Sequence, residues 1–120
     1  MNKGNKGVED IHKRIYRFVI TIIKFTKKLD KTSQNLVIVK QITESATSMG
    51  ANDQEADGAD TRKDFIAKYR IVRKEGKETV FWLNLIKDTN EQLSAEADIL
   101  INEGTQIVKI VSTIIRNSSH

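Results

Sequence analysis

The chain has 120 residues, a formal net charge of +4, no proline and no cysteine. That length supports one domain with one modest core. The missing cysteines exclude disulfides and thiolate metal sites, and the missing prolines leave helices free to run without interruption.

Residues 1–8 are polar and glycine-rich and are expected to form a flexible N-terminus, followed by a helical domain over 9–117. The first helix is predicted over about 9–31. Ile11, Ile15, Phe18, Ile22, Phe25 and Leu29 recur at alternating spacings of four and three, which puts them on one stripe. Glu9 and Asp10 at its start, and Lys27, Lys28 and Lys31 at its end, suit the helix dipole. Tyr16, Val19, Ile20 and Ile23 point away from that stripe. One bundle interior covers one stripe per helix, so this second apolar face asks for a second partner.

Asp30 to Ser33 read as a short connection with Thr32 or Ser33 as N-cap, and a second helix is predicted over about 34–56. It opens with Leu36-Val37-Ile38-Val39, apolar on all sides. Ile38, Ile42, Ala46 and Met49 then form an apolar stripe, with Gln41, Ser45, Ser48 and Asn52 as a polar stripe beside it. An acidic connection from Asp53 to Asp60 follows, and its first part can continue the helix. Thr61-Arg62-Lys63-Asp64 reads as a capping box that opens a third helix over about 62–90. Phe65, Tyr69, Val72, Gly76, Thr79, Leu83 and Ile86 form its seam. Lys68, Ile71, Glu75, Glu78, Trp82 and Leu85 lie beside the seam, and Val80, Phe81, Trp82 and Leu85 suggest a second apolar face. A turn near Asn90 to Ser94 leads to a fourth helix over about 95–117. Its stripe is Ala97, Leu100, Ile101, Gly104, Ile107, Val108, Val111, Ile114 and Ile115. This helix is rich in β-branched residues, so it must depend on packing. Short connections between long helices imply an all-α, antiparallel, up-down-up-down four-helix bundle. The excess apolar faces imply an oligomer without fixing its order.

The ordered series Gln41, Ser45-Ala46-Thr47-Ser48, Ala51-Asn52 with Glu55-Ala56, Asp64-Phe65-Ile66-Ala67-Lys68, Lys74-Glu75 with Glu78-Thr79, and Phe81-Trp82-Leu83 covers most of the chain. It resembles the "four helix bundle protein" family, also called 23S rRNA-intervening-sequence proteins. The sequence departs from the family pattern at Gly50, usually a branched residue, and at Gly76, usually a small Ala. Each helical Gly costs about 1 kcal/mol against Ala. The resemblance implies a ring-shaped homopentamer. The family is in turn similar to the accessory variability protein of diversity-generating retroelements, a basic pentamer that binds nucleic acid and a reverse transcriptase. RNA or DNA, and a reverse transcriptase or other protein, are the partners this implies.

The residues offer little for catalysis. Glu75 and Glu78 are spaced for an acid–base or metal pair, but bundle metal sites need Glu-x-x-His motifs. The two histidines, His12 and His120, lie in none. Nucleophile elbows and glycine-rich phosphate loops are absent from the sequence. No catalytic, cofactor-binding or metal residue is therefore assigned, no cofactor is expected, and the chain is expected not to be an enzyme. Gln41, Ser45, Asn52, Lys68, Glu75 and Glu78 are read instead as a structural polar network, since buried polar groups require partners.

Charge is the remaining lead. Residues 1–35 hold nine Lys or Arg against three acids. Lys13, Arg17, Lys24, Lys27 and Lys31 share the face of the first helix opposite its seam and are the candidate nucleic-acid contacts. An oligomer would repeat that stripe, and phosphate contacts add across copies. Aromatic residues suited to stacking are scarce outside the apolar stripes, which predicts weak sequence preference. The run FVITIIKF falls far below the roughly 20 residues of a membrane span. No cleavable signal pattern stands out, so no membrane partner and a cytoplasmic location are expected. The expected function is a non-catalytic oligomeric scaffold associating with RNA or other nucleic acid. The alternative is a protein-interaction scaffold whose positive charges are merely solvated.

Overall fold

The alternation of four and three closes into four helices in the computed structural model, which describes residues 10–119. The flexible terminus expected over 1–8, together with Glu9 and His120, lies outside the described residues. The helices are α1 (Ile11–Thr26), α2 (Ser33–Asp57), α3 (Arg62–Thr89) and α4 (Ser94–Ser118), with one 3-10 turn, Glu91–Leu93, before α4. Each helix packs against its neighbours in chain order, and α1 returns to α4, so the four close a square. The α2–α3 and α3–α4 pairs pack most extensively, while α1 is held more lightly.

Side-chain caps set most of the starts. Asp10 accepts from the His12 amide, Thr32 from the Asn35 amide and Thr61 from the Asp64 amide. Each occupies one of the four amides that a helix start leaves without a partner. Thr32, rather than Ser33, is therefore the α2 cap.

The first helix is shorter than its periodicity suggests. It stops at Thr26, whose hydroxyl donates to the Ile23 carbonyl at 2.8 Å. The next amides turn back onto Phe25 and Thr26, with Lys28 N to Phe25 O at 3.0 Å and Leu29 N to Thr26 O at 3.2 Å. Leu29 stays in the stripe register and is buried. A tight turn delivers it to the core as well as a further helical turn would. Conversely, α2 extends through Asp57, so the α2–α3 connection is shorter than the acidic run suggested.

The core is the predicted set of seams. Ile15, Phe18, Ile22, Phe25, Ile42, Met49, Tyr69, Val72, Leu83, Ile86, Ile107 and Val111 are all nearly inaccessible. Two glycines in these seams let helices approach. A Cβ on Gly76 would stand 2.9 Å from Val108 Cγ2, and one on Gly104 would stand 2.9 Å from Val80 Cγ2 and 3.0 Å from Phe18 Cζ. Gly76 thus trades helix propensity for close packing of α3 on α4. Val80, assigned from sequence to an outer apolar face, is half-buried at the same contact, and Trp82 and Leu85 also pack on the core. Phe81 alone of that group is exposed.

Candidate nucleic-acid interface

On α1, Lys13, Arg17, Ile20 and Lys24, followed by the C-cap residue Lys27, repeat the core's spacing on the opposite side of the helix. Their side chains are exposed. The cations of α1 and of the turn that follows it are sorted by direction. Those at the flank facing α4 are paired: Arg14 Nε and Nη2 donate to the two carboxylate oxygens of Glu103, each at 2.7 Å, and Lys28 Nζ lies 2.8 Å from Glu96. The Arg14 guanidinium holds the Glu103 carboxyl below the usual carboxylate range. Among the described residues, Lys13, Lys24 and Lys27 enter no ion pair, and they point to solvent. Arg17 faces outward too, close enough to Glu103 to add to its field. Lys31 is exposed but lies past the end of α1, in the connection to α2, so it does not share the helical face predicted for it.

The predicted interior polar network divides into separate contacts. Ser45 and Thr79 join their hydroxyls at 2.8 Å in the buried α2–α3 seam, and Thr79 also donates to the Glu75 carbonyl. The Asn52 amide folds back onto Ser48 of its own helix. Lys68 reaches Glu55 at 2.8 Å near the surface, rather than Glu75 or Glu78. Glu75 lies against Glu78 and Ser48. Partial burial, then the neighbouring Glu78 charge, pushes its carboxyl above the usual range. Gln41 is half-buried on the same flank of α2.

Two buried clusters were not foreseen. At one end of the bundle the Tyr69 hydroxyl donates to Asp53 Oδ1 at 2.7 Å, and His12 Nδ1 lies 2.9 Å and 3.1 Å from the two Asp53 oxygens. The His12 Nε2 lies 3.2 Å from Asp57. Burial, followed by the hydrogen bond to Asp53, pushes the Tyr69 phenol far above its ordinary value. At the other end Asn35 donates to the Asp30 carbonyl at 2.9 Å and to Asn90 Oδ1 at 3.2 Å, while Asn90 donates to the Ile86 carbonyl. The first cluster ties α1, α2 and α3 together and so fixes the start of the cationic helix. His12, a quarter exposed, anchors α1 to α2 through Asp53 and Asp57.

Outer apolar residues survive on several faces. Tyr16 is 64% exposed, Val37 60%, Phe81 56%, Leu36 55% and Ile99 70%. Phe81 packs edge-on against Trp82 with ring centroids 4.8 Å apart, and the buried Trp82 Nε1 has no hydrogen-bond partner. Among the described residues, no group of three or more acids or histidines is arranged to hold a metal, and no helix is long and apolar enough to cross a membrane.

The comparisons agree with this architecture. Residues 9–113 match the 23S rRNA-intervening sequence protein family. A solved structure from Bacteroides thetaiotaomicron, a protein of unknown function from the S23 ribosomal protein family, superposes with a TM-score of 0.81 at 35% identity. The match covers 88% of this chain and 98% of that one. Comparison with curated proteins gives no match. On the extent of the sequence match and the agreement in fold, the chain belongs to the 23S rRNA-intervening sequence protein family.

Proposed function

We propose that the protein is a non-catalytic oligomeric scaffold that holds RNA against the outer face of α1. The observation that carries this reading is the sorting of cations on that helix and the turn at its end. Arg14 and Lys28 are neutralised by α4, whereas Lys13, Lys24 and Lys27 stand on the solvent side with Arg17 among them. Such a ridge can contact several phosphates without reading bases. The exposed Leu36, Val37, Phe81 and Ile99 support self-association, because a partner would cover exposed apolar groups. A homopentameric ring, the assembly implied by the family resemblance, would present five such ridges. The same apolar residues favour the second reading, a scaffold for other proteins, among them a reverse transcriptase. The working location is the cytoplasm.

The test is a titration of purified protein into a labelled structured RNA, followed by anisotropy at several salt concentrations. Binding should weaken steeply with salt, and replacing Lys13, Arg17, Lys24 and Lys27 with Ala should flatten the slope by roughly 3 to 4. Absence of binding at low salt would remove the RNA reading and leave the protein scaffold. Light scattering on the same sample gives the assembly mass, and a Phe81→Lys variant should lower it.

A further inference from the structure

Of the two largely exposed aromatic residues, Phe81 packs edge-on against Trp82, and Tyr16 stands on the outer side of α1. Tyr16 is 64% exposed and sits between Lys13, one turn before it, and Arg17 beside it. No aromatic ring among the described residues stacks on it. It borders an open groove of about 480 Å³ between α1 and α2, whose other walls are His12, Lys13, Arg17, Ile20 and Gln54.

The groove has a fixed wall and a free edge. His12 is held by Asp53 on one ring nitrogen and Asp57 on the other, and Asp53 is itself held by Tyr69. The α1 backbone that carries Tyr16 is therefore anchored one turn away, so stacking would order the ring's own torsions without ordering the helix. Gln54, exposed on α2, offers both an amide donor and a carbonyl acceptor. The charges are unevenly placed. Lys13 and Arg17 are on the α1 side, and the Asp57 carboxylate is at the α2 side beside His12. A phosphate is attracted to the first and repelled from the second. A bound nucleotide would therefore orient with its backbone along α1 and its base toward α2.

We infer that the Tyr16 groove is a stacking site for an unpaired RNA base, with Lys13 and Arg17 holding the flanking phosphates and Gln54 meeting the base edge. This rests on the RNA reading of the α1 ridge and narrows it from RNA in general to RNA that offers unpaired nucleotides. A base inside a duplex presents no face to an exposed ring, whereas an unpaired one does, whatever its identity. The ring thus adds preference for strand state without adding much preference for sequence.

The experiment compares a labelled oligoadenylate with a labelled RNA duplex of equal length across a salt series. It uses wild type, Tyr16→Ala, Tyr16→Trp and the Lys13→Ala/Arg17→Ala double variant, with helicity and assembly mass checked for each. Tyr16→Ala should weaken oligoadenylate binding by about 10-fold and leave duplex binding unchanged. Tyr16→Trp should restore it, because the indole also stacks. The double variant should weaken both and flatten the oligoadenylate salt slope by roughly 1.4. If Tyr16→Ala binds oligoadenylate like wild type while the slope stays steep, the stacking site is wrong and the phosphate ridge stands. If wild type binds neither RNA at low salt, the RNA reading itself falls, and the inference with it. If Tyr16→Ala instead changes the assembly mass, the ring is a contact between copies and the inference is overturned.

Discussion

The two ends of the bundle bury polar side chains by different chemistry. Where α1 begins, an acid, Asp53, is closed off by a phenol and an imidazole from two other helices. Where α3 ends, two amides, Asn35 and Asn90, pair with each other and with nearby carbonyls. The first cluster joins three helices and carries charge. The second joins two helix ends and is neutral. Removing one member should therefore matter more at the first end. A lost charge partner leaves groups that water cannot reach, whereas a lost amide leaves its partner with another acceptor.

The largest effect is expected from Asp53→Ala, which strands the fully buried Tyr69 hydroxyl and leaves His12 with Asp57 alone. A loss of about 3 kcal/mol in unfolding free energy should appear in denaturant titration. Tyr69→Phe keeps the ring and removes one hydrogen bond to the acid, so a loss of about 2 kcal/mol is expected. Asn90→Ala should cost about 1 kcal/mol, because Asn35 retains the Asp30 carbonyl. Equal losses for Asp53→Ala and Asn90→Ala would break the comparison and show that the charge adds nothing to what the amide pair achieves. Hydrogen exchange sharpens it further. Asp53→Ala should loosen the start of α1 preferentially, since α1 is the most lightly packed helix and His12 would keep only its surface contact with Asp57.

The difference between the ends also explains what a sequence reader can see. The seams were legible because apolar side chains at alternating four and three spacing have one place to go, and Ile15, Phe18, Ile22 and Phe25 are all buried as that pattern requires. The polar clusters were missed because the same reading treats polar residues as marking the outer side. Yet the signal was present. Asp53 follows Met49 by four and precedes Ala56 by three, in the core register of α2. Asn35 stands three before Ile38, and Asn90 four after Ile86, again in register. A polar residue in the core register needs a partner in the core register of a neighbouring helix, and Tyr69 was such a residue. In the polar stripe beside the seam, only Ser45 reaches a buried partner, Thr79. Lys31 misled for a related reason. Periodicity continued through Leu29 although the helix did not, so a residue in phase with the face lies off it.

Glu75 provides the opposite case to both ends, a half-buried polar group whose neighbour has the same charge. Its folded value lies above that of an unfolded Glu, because partial burial and Glu78 disfavour the ionised form. A carboxyl raised on folding supports the native state fully at acid pH and loses that support as pH rises through the folded value. At neutral pH the ionised Glu75 therefore slightly opposes folding. Glu75→Gln keeps the shape and the ability to donate to Glu78 while removing the charge. It should raise the neutral-pH melting temperature by about 2 °C, a few tenths of a kcal/mol, and the advantage should vanish once the pH falls below the ordinary carboxylate range. A loss of stability at neutral pH would mean that the ionised pair has a cationic partner, such as Lys74 at 4.0 Å, strong enough to outweigh the repulsion. Glu75 would then belong with the matched clusters at the ends.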